Sequence, residues 1–479
     1  MRIMLIQPPA GGYLGYERLV KTEPLGLEAL AGALRRHEVA LVDLRLNSRL
    51  DSALDKFKPD VCAISCSFTM SVPSALECAQ LVRARCPQAL VVVGGVHASI
   101  APQDLMQSAV DVVVKGEGEA AMAELVDALE QGRDLSEVRG LYLVRDGRPF
   151  FTGSRPPVDD LDQLPLPRRD LGARREGDYY FNLWRPFALV ETARGCPHRC
   201  VFCSVWRFYR GKVRYKSPER VGEELSQIEA PYVLFTDDNF LDDIPRAKSI
   251  AALIGAKGIR KSYAMQVRAD DVAQNPEVIS AWHEVGLRHV LIGFEASTNE
   301  GLANLAKGTS IELAEEAMAV LRRFGDIGVT GSFIVDPSFT KEDFAHLRSY
   351  VERLGISSPQ FTVLTPLPGT VLYQQVKDQL VTKDYQLFDF LHTVLPTRLG
   401  CAEFYQEFAG LYRAAYAKKQ NLWRRLPRLV LGLAARAYTF SQLRGVIQTF
   451  RLVCDPDTYL SSCAEEQLAL DIPSGAGHV

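Results

Sequence analysis

The stretch Gly195–Trp206 reads GCPHRCVFCSVW and places three thiols, Cys196, Cys200 and Cys203, within eight residues. Three readings compete. A zinc site wants four ligands, commonly two separated Cys pairs. No second pair follows at such spacing, and His198, the near candidate for a fourth ligand, is cramped between Cys196 and Cys200. Buried structural cysteines need no fixed spacing. An iron–sulfur cluster is usually held by four thiolates. Three would leave one iron open to a substrate or cofactor.

The flanks set these thiols on a loop. FALVETARG, at 187–195, reads as a strand ending at glycine. Downstream, Ser217-Pro218-Glu219 has the logic of a helix start, with a hydroxyl cap and proline at the first helical position. Then YVLFTDDNF, SYAMQVRAD, HVLIGFEA, VTGSFIVDP and PQFTVLTPLPGT each read as a strand, separated by helical patterns. With the first strand they make six strand–helix units. Polar residues gather near the C-terminal ends of these strands, where barrel active sites lie. They are Asp237, Asp238, Asn239, Gln266, Arg268, Glu295, Asp336 and Thr365.

Before this region, RIMLIQ, VALVDL, VCAISCS, ALVVVGG and VDVVVKG alternate with helical patterns. Continuous apolar strands between helices predict an α/β fold with a doubly wound, Rossmann-like parallel sheet covered on both faces. Such sheets bind ligands beyond the C-terminal strand ends. Those ends carry Gln7, Pro8 and Pro9; Ser65 and Ser67; Gly94 and Gly95; and Gly116, Glu117 and Gly118. Four such ends together predict one lined crevice. The expected organisation is this domain over 1–150, a linker over 151–186, the barrel over 187–385 and a helical C-terminal region over 386–479. PPVDDLDQLPLPRRDL, at 156–171, is the Pro- and Asp-rich heart of the linker.

Cys196-PHR-Cys200-VF-Cys203, with aromatic Phe202 before the third cysteine, resembles the signature of radical SAM enzymes. QPP, SCSFT, VVVGGVHAS and VVKGEGE, in that order, resemble the cobalamin-binding domain that precedes many of them. The resemblance implies a partial (β/α)6 barrel and a [4Fe–4S] cluster on Cys196, Cys200 and Cys203. The open iron binds the amino and carboxylate groups of S-adenosyl-L-methionine (SAM), and one electron cleaves it to a 5′-deoxyadenosyl radical. It implies SAM contacts from Phe202 beside the adenine, from Asp237 and Asp238 to the amino group, from Gln266 and Arg268 to the ribose or carboxylate, and from Glu295 to the hydroxyls. The crevice of the first domain then takes cobalamin, its nucleotide tail entering near Ser65, Ser67, Gly94 and Gly95.

One departure stands out. Cobalamin domains that ligate cobalt through histidine follow their second strand with Asp-x-His-x-x-Gly. Here the stretch is DLRLNS, with Asp43, then Arg45 in the histidine place and Ser48 in the glycine place. The lower cobalt face is expected to lack a histidine, and His97 belongs to the sequence signature and is not the axial ligand.

Two such halves imply methyl transfer to an unactivated carbon through methylcobalamin and a substrate radical. That chemistry needs no protein nucleophile, and no Ser-His-Asp or Cys-His arrangement suggests one. CSVWRFYRGKVRYKSPERV, GSFIVDPSFT, LTPLPGTVLY and FDFLHTVLPTRLGCAEFYQEFAGLY resemble the hopanoid C-3 methylases, which act on the A ring of a membrane triterpenoid. A low-potential donor such as flavodoxin or ferredoxin is the implied redox partner. The alternatives are an oxidative cyclase of a tetrapyrrole, a methylase of another natural product and, from another class, a non-catalytic cobalamin- or metal-binding sensor.

The whole chain is compatible with these expectations. Its 479 residues suit two or three domains, with 47% apolar and 24% charged residues and a net charge of −3. A near-neutral balance gives no reason to expect nucleic acid. The N-terminal apolar run is too short for a signal peptide and ends in Pro8-Pro9. No uncharged span of ~20 residues could cross a bilayer. A cytoplasmic chain is expected, with its thiols reduced and Cys62, Cys66, Cys78 and Cys86 buried as structural groups. From Ala409 to Cys454 there is no Asp or Glu, while basic residues interleave with Leu, Trp, Tyr and Phe. Such a segment can lie on the anionic inner face of a membrane.

Overall fold

Arg2–Gln7 (β1) is apolar at successive positions because both of its faces are covered. Ile3 and Leu5 enter one buried cluster, and Met4 and Ile6 enter the other. Val61–Ser65 (β3) divides the same way, Val61 and Ala63 against Cys62 and Ile64. These strands join Glu38–Asp43 (β2), Leu90–Gly94 (β4), Val112–Val114 (β5), Leu141–Arg145 (β6) and Arg148–Phe151 (β7) in one seven-stranded sheet. Its order is β2-β1-β3-β4-β5-β6-β7, and β1 to β5 run parallel. The winding reverses between β1 and β3, which opens a crevice at their C-terminal ends. The computed structural model describes residues 1–479 apart from 13–19, 47, 146, 172–176, 418–438 and 461–479. The middle of the basic segment and the last nineteen residues therefore lie outside the described residues.

The sheet departs from the expected one at its far edge. β6 and β7 form an antiparallel hairpin added beside β5. Tyr142 and Phe151 stack across it with ring centroids 4.5 Å apart. Cys62, Cys66 and Cys78 are buried as expected, and burial pushes each thiol up to about 12. Cys86 is only half-buried.

The second sheet has six parallel strands: Phe187–Val190 (β8), Tyr232–Phe235 (β9), Ser262–Val267 (β10), Leu287–Glu295 (β11), Gly328–Val335 (β12) and Ser358–Val363 (β13). They follow one another in chain order, as a partial barrel requires. Helices cover the outside: Pro218–Gln227, Ile244–Ala256, Pro276–Val285, Ile311–Arg322 and Lys341–Leu354. Their starts are chemically explicit. Ser217 caps Pro218–Gln227 with its hydroxyl, and Thr340 and Asp343 form a capping box on Lys341–Leu354.

Helix Cys401–Ala417 packs on Lys341–Leu354 and on β13. β13 is an edge strand, so its outward N–H and C=O groups need partners. The Tyr412 hydroxyl supplies them, donating to Phe361 O at 2.7 Å and accepting from Phe361 N at 3.2 Å.

Ion pairs tie the linker to both halves of the chain. Arg169 pairs with Glu23 at 3.2 Å and Glu224 at 2.8 Å and donates to Leu189 O at 2.7 Å. Glu23 also accepts the Leu189 amide at 2.7 Å, so it caps an outward group of the first barrel strand.

Candidate functional site

The cysteine loop is tied down on every side. Gly195 adopts φ +102°, and a Cβ there would stand 2.2 Å from Lys212 O, so only glycine fits. Val201 N donates to Leu305 O at 3.1 Å and Leu372 N to Val201 O at 3.0 Å. The Trp206 indole donates to Cys200 O at 3.1 Å, which gives the residue three places after Cys203 a local job. Phe202 is half-buried on this loop.

A single ion and a cluster ask for different thiol spacings. Thiolates bound to one zinc at ~2.3 Å lie about 4 Å apart. Among the described residues, only His37, Asp127 and Glu130 bring three ligand atoms within 4.8 Å of one another. The three cysteines are not such a set as they stand. That other set is engaged in ion pairs with the N-terminal ammonium and Arg36. Burial pushes the Cys203 thiol up to about 12 and raises Cys196 and Cys200 as well. The positive charges of Lys307 and Arg268 oppose the rise at Cys200. Glu295 acts the other way, raising the same thiol. Burial also lowers His198, whose position between the cysteines brings in no further ligand.

The strand-end residues divide by what already holds them. Asp237 is fully occupied: Oδ1 accepts Thr192 N at 2.6 Å and Ala193 N at 3.0 Å, and Oδ2 takes the Thr192 hydroxyl. It organises the turn that leads into Gly195, so the carboxyl expected to meet the SAM amino group is buried and already engaged there. Asp238 is exposed at the barrel mouth. The surrounding protein, then Asp237 and Glu191, push its carboxyl up to about 7 against the Gly195 amide. Arg268 is committed to Asp270 at 2.9 Å and Lys307 O at 2.8 Å, which corrects its expected role as an open fork for a carboxylate. Glu295 takes φ +65° after an irregularity in the β11–β12 register and pairs with Lys307 at 2.8 Å. A Cβ at Gly293 would meet Glu295 Oε1 at 2.0 Å, so the pair depends on that glycine. A left-handed glutamate at a strand end is the kind of strain that functional sites hold.

Gln266 lies half-buried at the end of β10, and its carbonyl accepts Phe240 N at 2.9 Å. Asn239 Nδ2 donates to Asp271 Oδ2 at 2.7 Å, while its buried Oδ1 is an orphan acceptor among the described residues. Asp336 accepts Ser338 N at 2.8 Å, and Thr365 donates to Val363 O at 2.9 Å. Lys307 escaped the sequence reading, because nothing local marks it. Glu191 follows the first barrel strand directly, and the same strand-end rule would have found it.

In the first domain, Pro8 is buried and Pro9 exposed beyond β1, with Gln7 half-buried and donating to Pro8 O at 3.3 Å. Ser65 is half-buried and Ser67 exposed beyond β3. Gly95, at φ +124°, would drive a Cβ to 2.6 Å from Cys66 O. That glycine serves the packing of two strand-end loops. Gly94 has only Val114 Cβ near its added carbon, at 3.6 Å, and Gly116, at φ +96°, faces open space. Ser99 links the loops by donating to Gly95 O and accepting from Gly116 N, both at 2.8 Å. Gly118 opens helix Gly118–Glu130. Of these strand-end glycines, Gly116 is the one with nothing within 4 Å of an added carbon.

Glu117 is corrected. Its carboxylate meets Arg214 at 2.7 Å and 3.0 Å and Arg194 at 3.0 Å, across the junction with the barrel. Burial pushes it up, but the Arg214 hydrogen bonds and the Arg194 charge hold it below the usual range. It is a joint residue, spent before any cofactor arrives. Both nitrogens of His97 are also taken, by Thr69 Oγ1 and Asp104 Oδ2, each at 3.1 Å. Arg45 folds back on Asp43 at 2.7 Å and donates to Thr22 O at 2.8 Å.

The two halves match known domain families. The B12 binding domain matches residues 14–126 and the radical SAM superfamily matches 190–351. The class is thereby set: an enzyme that carries a cobalamin domain ahead of a radical SAM barrel. The hopanoid C-3 methylase of Methylococcus capsulatus is 35% identical, over 87% of this chain and 81% of that protein. The chain belongs to its family, the cobalamin-dependent radical SAM methyltransferases, whose cofactors are cobalamin, SAM and a [4Fe–4S] cluster. The anaerobic magnesium-protoporphyrin IX monomethyl ester cyclase of Cereibacter sphaeroides is 27% identical, over 88% of this chain and 71% of that protein. The solved structure of the cobalamin-dependent SAM radical enzyme OxsB, with aqua-cobalamin and SAM bound, is similar in fold, with a TM-score of 0.69. It is 17% identical, and the match covers 95% of this chain and 77% of that one.

Proposed function

We propose that this enzyme methylates C-3 of the A ring of a hopanoid. The observation that carries the substrate is the 35% identity to a hopanoid C-3 methylase, spread over 87% of the chain. When bound, the cofactors supply the adenosyl radical and the methyl group. The chain's own residues position and enclose them.

In this reading Cys196, Cys200 and Cys203 hold the cluster, with Lys307 and Arg268 balancing its charge. Asp238, open at the mouth, takes the amino group of SAM in place of the occupied Asp237. Phe202, Gln266 and the strained Glu295 line the rest of the nucleoside site. Gln7, Pro8, Pro9, Ser65, Ser67, Gly94, Gly95, Gly116 and Gly118 border the cobalamin crevice. Arg45, tied to Asp43, stands where a histidine ligand would, which favours a lower cobalt face free of histidine.

A lipid substrate also calls for access to a membrane. No helix among the described residues is long and apolar enough to cross one. Helix Phe440–Val453 offers a different contact, with Ile447 47% and Phe450 36% exposed beside Arg444 and Arg451. An apolar, basic face of this kind suits an anionic lipid surface. A low-potential flavodoxin or ferredoxin is the donor this chemistry requires.

The test is lipid analysis of a host that makes unmethylated hopanoids. Expression should yield a C-3-methylated species, and Cys200→Ala should yield none while still binding cobalamin. A wild-type chain that leaves the hopanoids unchanged sinks the substrate. A changed porphyrin instead would favour the cyclase reading, which the 27% identical relative supports.

A further inference from the structure

Phe390 has a left-handed backbone, with φ +66°. A bulky residue in that region is an outlier that persists only where its surroundings force it. Here they do. Asp389 Oδ1 accepts the amides of both Leu391 and His392 at 3.0 Å, and the carboxylate also meets His392 Nδ1 at 2.9 Å. Phe390 O accepts Val363 N at 2.7 Å, at the C-terminal end of the last barrel strand. The strained residue is thus fixed beside the barrel mouth.

The same turn reaches the other cofactor's domain. An added Cβ on Gly12, just past β1, would lie 3.1 Å from Asp389 Cβ and 3.3 Å from Met70 Sδ. Tyr385 OH donates to Asp104 at 2.8 Å, and the turn at Tyr385–Leu387 packs on the turn at Thr69–Ser71. So Tyr385–His392 is wedged between the mouth of the barrel and the strand ends of the cobalamin domain.

Its neighbours Leu387 and Phe388 are buried, but Phe390 remains partly open. Among the described residues it joins no buried cluster and makes no ring contact. Across the junction Phe68, next to Thr69, is 60% exposed. Phe68 and the partly open Phe390 thus stand next to the two turns, Thr69–Ser71 and Tyr385–Leu387, that pack on each other at this seam.

We infer that Phe390 is a specificity residue, the apolar wall of a seat for a fused hydrocarbon ring system lying between the two cofactors, with Phe68 on the opposite side. The inference rests on the hopanoid reading and names where that lipid lies. The cost of the strained turn makes sense if the ring it presents is used, since aromatic faces bury large apolar areas in a defined orientation.

The experiment uses the full chain loaded with cluster and cobalamin. Binding of a pentacyclic hopanoid lacking the C-3 methyl group, in detergent micelles, is followed by quenching of intrinsic fluorescence, and methylated product is measured separately. Phe390→Gly removes the ring and suits the positive φ. It should keep the iron and cobalamin absorbance and the Tm, and weaken hopanoid binding roughly tenfold or more, raising KM more than it lowers kcat. Phe390→Trp should restore most of the binding. Equal binding by wild type and Phe390→Gly overturns the inference, as does a wild type that does not bind the hopanoid. Loss of iron or cobalamin from Phe390→Gly also overturns it, because the residue then serves the fold. A wild type that binds but forms no product defeats the methylation reading and leaves the seat standing.

Discussion

Between pH 6.5 and 4 the unfolded chain accepts a proton at His289 that the folded chain refuses. Burial lowers this imidazole from 6.5 to about 4. It lies against Phe181 and Trp184 and shares a hydrogen bond of 2.8 Å with Thr330. The unfolded state binds more protons in this window, so stability rises with pH from 4 to 6.5 and falls on acidification, by up to about 3 kcal/mol. His289→Gln should flatten that part of the stability profile, measured by denaturant unfolding at each pH. An unchanged slope would place the titration elsewhere. The residue scale is also where sequence reading was strongest and weakest. The cysteines announce themselves because their spacing is local. Lys307 does not, because it acts on Cys200 by its charge, from beyond the short helix that follows the fourth barrel strand. Asp237 and Glu117 were visible as polar strand ends, but only the fold reveals that Thr192 and the two arginines already occupy them.

At the scale of elements, continuous apolar runs between helices made both sheets legible in order and direction. The β6–β7 hairpin was missed although an Asp-Gly step at 146–147 signals a tight reversal. Its strands do not alternate, because burial falls off along each toward the exposed hairpin tip, where Val144 is 55% open. Helix Cys401–Ala417 read as part of a separate C-terminal region, yet it dresses the edge of β13 through Tyr412. No periodicity could have told which strand that face would meet. Tyr412→Phe should leave Phe361 N and O without this partner in a dry setting, at a cost of roughly 1–3 kcal/mol. The loss should appear as a lower denaturation midpoint with the denaturant slope unchanged. A midpoint equal to wild type would mean that another group closes the edge.

For the whole molecule, the decisive feature is the charged joint around Glu117, Arg194 and Arg214. Arg194 also meets Glu119 at 2.6 Å and Glu191 at 2.9 Å. Removing one partner of a buried pair leaves a charge stranded, which costs about 3–5 kcal/mol. Glu117→Gln should destabilise the chain by that order and expose the 151–186 linker to protease. Pairing it with Arg214→Met should recover part of the loss, as coupled neighbours do. Additive effects in that cycle would contradict a working joint.

The joint has a consequence for descent. Residue 117 stands just before a helix of one domain, 194 stands two places before the first cysteine, and 214 pairs with the strand that leads there. None can drift alone without stranding a buried charge. Across related chains these three positions should therefore change together or not at all. A lineage that exchanged one half of the molecule for a foreign copy would have to bring its own matching set.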